Sequence, residues 1–428
     1  MNNVFVRINE KQFGPLSHPE LKSLVKKGKF RETDLVWNED EDSWLEAGKI
    51  DEIKSIFNVQ APAVTEKRII AVGGGKGGVG KTVITASMGI GLAALGYDVI
   101  LVDADFGGAN LHTAMGILQP EYSFLDYYTL SRENLDDILL QTPFPNLKMI
   151  SGACGTLGMA NPKYSQKLRL IKELRTLNAD FIILDLGAGS SFTVIDFFLA
   201  VDEGMLIMSP EPTAVQETFD FLKICLMRKL HRTFKDEPEI LNVLNLSGID
   251  NLGQLTLPVE NLVKKLTEHD SEAGSIFESI LEEFKPRLLL NMVMNSEEIK
   301  EGAALKTAAA ELLSIDLDFA GYIEYDSSIR ESVKDLRPFI LNNPKSKASR
   351  SLAKIITIKI LQNSGFQSLR KKIQLRRNIK NSATDYPTAN QWASETICSV
   401  KCFYWDDCEF QNGGFPCSVR HLESIFNQ

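Results

Sequence analysis

Residues 73–82 read Gly-Gly-Gly-Lys-Gly-Gly-Val-Gly-Lys-Thr and follow directly on the apolar run Ile69-Ile70-Ala71-Val72. The frame G-x-x-x-x-G-K-[ST] is filled by Gly75, Gly80, Lys81 and Thr82. With no side chains in the way, successive backbone N–H groups can turn inward and line a concave anion site. Lys81 then reaches terminal phosphates, and Thr82 offers a hydroxyl to Mg²⁺. A buried strand before the loop and a helix of small apolar residues after it, Val83 to Ala94, set the loop where a helix N-terminus faces phosphate. A chain built around this unit is an α/β protein that binds a nucleotide.

Lys76 is not required by the ordinary loop. With it, the stretch Lys-Gly-Gly-Val-Gly-Lys-Thr resembles the deviant Walker A motif of the MinD/ParA ATPases. Val99-Ile100-Leu101-Val102-Asp103-Ala104-Asp105 is an apolar strand ending in two carboxylates and is similar to that family's first switch. Phe181-Ile182-Ile183-Leu184-Asp185-Leu186-Gly187-Ala188-Gly189 resembles its Walker B strand and second switch. Both place carboxylates at the C-terminal end of a buried parallel strand, where open α/β sheets bind ligands.

The resemblance implies a doubly wound, mostly parallel sheet, ATP and Mg²⁺ as ligands, and a homodimer that forms with ATP. It places the phosphates among Gly75, Gly77, Gly78, Val79, Gly80, Lys81 and Thr82, with Thr213 and the base-reading Asn291 also at the nucleotide. Thr82 and Asp185 would hold Mg²⁺, Lys81 and Lys76 would neutralise developing charge, and Asp105 would position the attacking water. Lys76 would do so across the dimer interface. Asp103 supports the switch or serves as a simple turn residue, as Asn291 also could.

Ser209-Pro210-Glu211-Pro212-Thr213-Ala214 and Gly321-Tyr322-Ile323-Glu324-Tyr325-Asp326 are similar to the FlhG/FleN flagellar-number regulators. Residues 229–285 are longer and more charged than a compact core of this kind requires. Further strands are expected at 205–208, 287–290 and 319–323, alternating with helical stretches.

The ATPase is expected over 67–363, after a linker at 58–66 that contains Pro62. Residues 1–57 resemble a small α+β GYF-like domain of the second type, through Phe13-Gly14-Pro15, Leu35-Val36-Trp37 and Trp44-Leu45-Glu46-Ala47. That resemblance implies a proline-rich peptide partner stacked on Phe5, Phe13, Trp37 and Trp44. Core packing is the alternative for each of these aromatics.

Residues 364–395 are expected to form a basic helix and a polar linker. Phe366, Leu369 and Ile373 share a stripe among Arg370, Lys371, Lys372, Arg376, Arg377 and Lys380, whereas Leu375 and Ile379 fall on the far side. Segment 366–380 is thus either a membrane-surface helix like those ending MinD and FlhG proteins or a solvated basic helix. In the tail, 396–428, Cys398, Cys402, Cys408 and Cys417 cluster as expected of a zinc or iron–sulfur site.

The net charge of −9 argues against bulk nucleic-acid binding, and neither a long apolar stretch nor a secretory leader is seen. A cytoplasmic protein is expected, peripheral at the inner membrane face if the basic helix binds lipid. The function these features indicate is an ATP-dependent dimerisation switch that regulates the place or number of a cellular structure such as the flagellum. The alternatives are an Mrp-type iron–sulfur carrier ATPase and an adaptor working through its GYF-like module. A tyrosine autokinase would need a tyrosine cluster in its tail, and only Tyr386 and Tyr404 lie beyond residue 363.

Overall fold

The computed structural model describes residues 67–383 except 130–131, 133, 153–163 and 245–257, together with Tyr386 and, nearer the N-terminus, residues 4–8, 11–16, 21, 24, 30–31, 33–38, 43–50 and 53. The chain divides into two compact units, Met1–Lys67 and Arg68–Gln428.

In the first unit, strands β1 (Val4–Ile8), β2 (Lys11–Leu16), β3 (Leu35–Asn38) and β4 (Ser43–Glu46) form an antiparallel sheet in the order β2-β1-β3-β4. Val4, Val6, Leu21, Phe30, Val36, Ala47 and Ile53 make its core. The four aromatics weighed above lie outside that core. Phe5 and Phe13 are exposed, and Trp37 meets Trp44 edge-on with ring centroids 5.5 Å apart, both rings half-buried.

The second unit is built on eight strands: β5 (Arg68–Gly73), β6 (Val99–Ala104), β7 (Leu140–Gln141), β8 (Leu147–Ile150), β9 (Phe181–Leu186), β10 (Glu203–Met208), β11 (Arg287–Val293) and β12 (Asp318–Glu324). Their order is β12-β11-β10-β5-β9-β6-β8-β7, with every pairing parallel except β7 with β8. The parallel strands at the centre are continuous apolar runs because helices cover both faces: β5, β6 and β9 are buried almost throughout. After β5 the chain crosses to β6 on one side, and it later returns to place β10 on the other. This reversal of direction opens a crevice at the C-terminal ends of β5, β9 and β10.

The helix Lys81–Ala94 is buried nearly all round. Gly89 allows its close approach to the sheet, since a Cβ there would lie 2.7 Å from Leu101 Cδ2. On its other side lies the helix Gly365–Ala383, which buries Leu375 and Ile379 and donates from Asn378 Nδ2 to the Ala94 carbonyl at 2.7 Å. The basic segment is therefore packed on the ATPase unit. Its two apolar faces have separate fates: Leu375 and Ile379 turn inward, while Phe366, Leu369 and Ile373 are 53–74% exposed.

Two charge networks fix this frame. At the N-terminal ends of the strands, Glu203 pairs with Arg68 and Arg287, Arg287 reaches Asp318 at 3.4 Å, and Lys359 reaches Asp318 at 2.7 Å. Inside, Asp196 is 1% exposed and takes Lys167 at 2.9 Å, Arg228 at 3.0 Å and Arg232, tying the helices Tyr164–Leu174, Phe192–Ala200 and Pro212–Thr233 together.

Candidate functional site

The loop from Gly74 to Gly80 carries the chain from the end of β5 into the helix Lys81–Ala94. It threads between the end of β10 and the helix Pro212–Thr233. A Cβ on Gly74 would lie 2.6 Å from the Ile207 carbonyl oxygen, and one on Gly75 would collide with the carbonyl of Glu217. Gly80 sits at φ 92°, where side-chain-bearing residues are strained, and its Cβ would lie 2.6 Å from Asn291 Nδ2. Gly77, by contrast, has only Ala188 Cβ within range, at 3.8 Å.

Lys81 is 7% exposed and donates to the Lys76 carbonyl at 3.2 Å. Burial lowers its pKa, against the pull of Asp185 and Asp105. Asp185 is fully enclosed: burial pushes its carboxyl up to about 7, while hydrogen bonds from Thr82 and Thr85 and the charge of Lys81 work the other way. The sheet register sets Asp103 directly beside Asp185. Burial and that neighbour push Asp103 up to about 8. A carboxylate and a hydroxyl side by side, in a place that disfavours uncompensated negative charge, are hard oxygen donors suited to Mg²⁺. Thr82 and Asp185 fit that ion.

Asp103 accepts from the backbone N–H groups of Leu111 at 2.9 Å and Asp105 at 3.2 Å, so it braces the turn that presents Asp105. Asp105 in turn accepts from Gly107 and Gly108 N–H at 3.3 and 3.0 Å. Its carboxylate lies against Gly187, where a Cβ would stand 2.9 Å from Oδ1, and Gly189 N–H bonds the Gly74 carbonyl at 3.2 Å. Both switch segments thus touch within one small volume beside the loop.

Two predicted residues have specific partners. Lys76 folds back within its own chain, where its ammonium pairs with Glu211 and donates to Thr213 Oγ1 at 2.6 Å. Asn291 is buried, and its Nδ2 donates to the Val79 carbonyl at 2.8 Å, which holds the loop from beneath. Glu211, Thr85 and Gly187 are not singled out for roles by the sequence. The signal for Glu211 lies inside the Ser-Pro-Glu-Pro-Thr stretch, and that for Gly187 is its place directly after the strand that holds Asp185.

Cys398, Cys402, Cys408 and Cys417 lie outside the described residues. Among the described residues, no group of three or more His, Cys, Asp or Glu side chains is gathered for a metal ion. No helix among them is long and apolar enough to cross a membrane.

The model of the CobQ/CobB/MinD/ParA nucleotide binding domain matches residues 70–339. The chain belongs to that family. GYF domain 2 matches residues 5–53. The antiactivator FleN of Pseudomonas aeruginosa is 28% identical over 285 residues, covering 66% of this chain and 82% of that protein. The flagellum site-determining protein YlxH of Helicobacter pylori is 26% identical over 215 residues, covering 49% of this chain and 69% of that one. Among solved structures, the septum site-determining protein MinD complexed with Mg-ADP from Pyrococcus horikoshii OT3 aligns at 22% identity with a TM-score of 0.48, covering 69% of this chain and 98% of that one.

Proposed function

We propose that this chain is an ATPase whose ATP-bound form dimerises, and that the dimer regulates the place or number of a cellular structure such as the flagellum. The observation that carries this reading is Lys76. It is superfluous to a phosphate cradle, yet it stands on the loop beside a full set of hydrolytic groups and is held at the site by Glu211 and Thr213. The homology to FleN and YlxH supports the choice of process.

In this mechanism the backbone N–H groups from Gly75 to Thr82 and the Lys81 ammonium bind the β- and γ-phosphates of ATP. Mg²⁺, held by the Thr82 hydroxyl and the Asp185 carboxylate, would neutralise phosphate charge. Asp105, fixed by Gly107 and Gly108, orients the attacking water. Lys76 leaves Glu211 and stabilises the charge on the partner subunit's nucleotide, so that hydrolysis depends on dimerisation.

The surroundings support two contacts. Phe366, Leu369 and Ile373, flanked by exposed Arg370, Arg376 and Arg377, would lie on an anionic membrane surface from the cytoplasmic side. The half-buried Trp37–Trp44 pair, with Phe5 and Phe13, would take a proline-rich peptide on the N-terminal unit.

The test is sedimentation of Asp105→Ala, which should bind ATP without turning it over. It is expected to sediment as a dimer with ATP and as a monomer with ADP. Lys76→Ala should bind ATP with near-native affinity and lose hydrolysis. A strictly monomeric Asp105→Ala with ATP overturns the switch.

A further inference from the structure

Strand β12 ends the sheet: it pairs with β11 on one side, and among the described residues no strand pairs with the other. Along that outer edge runs a groove of about 520 Å³. One wall is the strand itself, Phe319 to Tyr322. The other is the helix Lys347–Ile355 and the turn that follows it, which contribute Ile355 and Ile358 to the floor.

The charges of the groove are distributed unevenly. Lys347, Arg350 and Lys354 fall at i, i+3 and i+7 on one helix face, and Lys359 follows one turn on. At the two ends of β12 the cations are matched, Lys347 with Glu324 at 3.7 Å and Lys359 with Asp318 at 2.7 Å. Between them Arg350 and Lys354 are exposed and make no ion pair among the described residues, and no carboxylate lines the middle of the groove.

We infer that this edge binds an extended acidic peptide of a partner protein, which adds to β12 as a ninth strand of the sheet. The unpaired backbone of β12 supplies the hydrogen bonds, as strand addition requires. Alternate side chains of such a peptide point to opposite faces, so one set would meet Phe319, Tyr322 and Ile355 while acidic residues meet Arg350 and Lys354. The chain as a whole carries −9, so this local excess of positive charge selects an acidic segment against the background repulsion of the remaining surface. The bulge that leaves Ala320 without a partner on β11, together with edge lysines, is also how sheets guard themselves against pairing. Guarding, however, requires neither a cavity of this size nor an apolar floor.

The test uses the full-length protein and a fluorescent nine-residue peptide alternating glutamate with valine, followed by anisotropy. Binding is expected, with at least about tenfold loss for Arg350→Glu/Lys354→Glu and for the same peptide N-methylated at alternate amides, equivalent to about 1.4 kcal/mol. ATP hydrolysis should be unaffected by the double variant. Loss with charge reversal but none on N-methylation overturns strand addition. Equal or tighter binding of a single-stranded oligonucleotide or of anionic vesicles, abolished by the same variant, overturns the peptide assignment. No binding of any probe leaves the lysines as edge guards and overturns the site.

Discussion

Cations gather in two places in the ATPase unit, and their counter-charges separate the roles. Around Asp196, Lys167, Arg228 and Arg232 converge on one carboxylate that is 1% exposed. Along β12, four cations line a groove whose carboxylates stand only at its ends. In the first cluster the charge is spent on holding three helices. In the second, the middle of the row has nothing to hold. Buried charge must be matched to exist, whereas exposed charge is free to be used. Lys81 lies between these cases: burial lowers its pKa, while its carboxylate neighbours Asp185 and Asp105 pull the other way without fully offsetting it.

The sharpest test of the comparison is Asp196→Ala. It would leave Lys167, Arg228 and Arg232 facing each other with no carboxylate, and breaking a buried pair of this kind costs about 3–5 kcal/mol. Arg228 also stacks on Phe192 at 4.5 Å and Arg232 on Tyr164 at 3.9 Å, so both side chains stay anchored and cannot simply swing to solvent. The expected outcome is a steep fall in the urea midpoint. A shift no larger than that of an exposed pair such as Lys264–Glu260 would show that the cluster is not structural.

Lys81→Ala comes next. It removes the ammonium that bonds the Lys76 carbonyl and feels the charge of Asp185, and is expected to weaken ATP binding at least about a hundredfold, or about 2.7 kcal/mol. Isothermal titration with a non-hydrolysable analogue measures this. Lys76→Ala, by contrast, should leave that affinity near its native value, because Lys76 is engaged with Glu211 and Thr213. Equal losses for both lysines would place both on the same phosphates and remove the ground for a role across the dimer.

These differences indicate what can be read from residues alone. The loop, both carboxylate-ended strands and the strands at 205–208, 287–290 and 319–323 are local: a short, mostly apolar run bounded by polar or turn residues declares itself within ten residues or so. The short antiparallel hairpin of β7 and β8 carries too few residues for any period to show. Long-range contacts are equally hidden. Nothing in the spacing of Leu375 and Ile379 names the helix Lys81–Ala94 as their partner, so the two apolar sides of the basic helix read as a broken stripe, not as one side for the core and one for solvent. Asn291 belongs to this class as well: the apolar run before it suggests a strand that it closes, whereas β11 continues to Val293, and its bond to the loop carbonyl of Val79 joins segments 212 residues apart.

The smallest effect is expected where the comparison predicts none. Arg350→Ala and Lys354→Ala remove side chains that make no ion pair among the described residues and that lie on the exposed side of their helix, whose packing depends on Ala348, Leu352 and Ile355. Alanine keeps the helical propensity of both positions. Each variant, and the pair together, should therefore shift the melting temperature by less than about 2 °C, in contrast to Asp196→Ala. Small gains are equally compatible, because removing like charges that stand one turn apart on one helix face relieves repulsion, and raising the salt concentration should then erase the gain. A loss comparable to that of Asp196→Ala would mean that these cations hold the helix against β12. The groove would then be part of the fold's support, and the distinction between matched and unmatched charge would fail at the place where it is drawn most plainly.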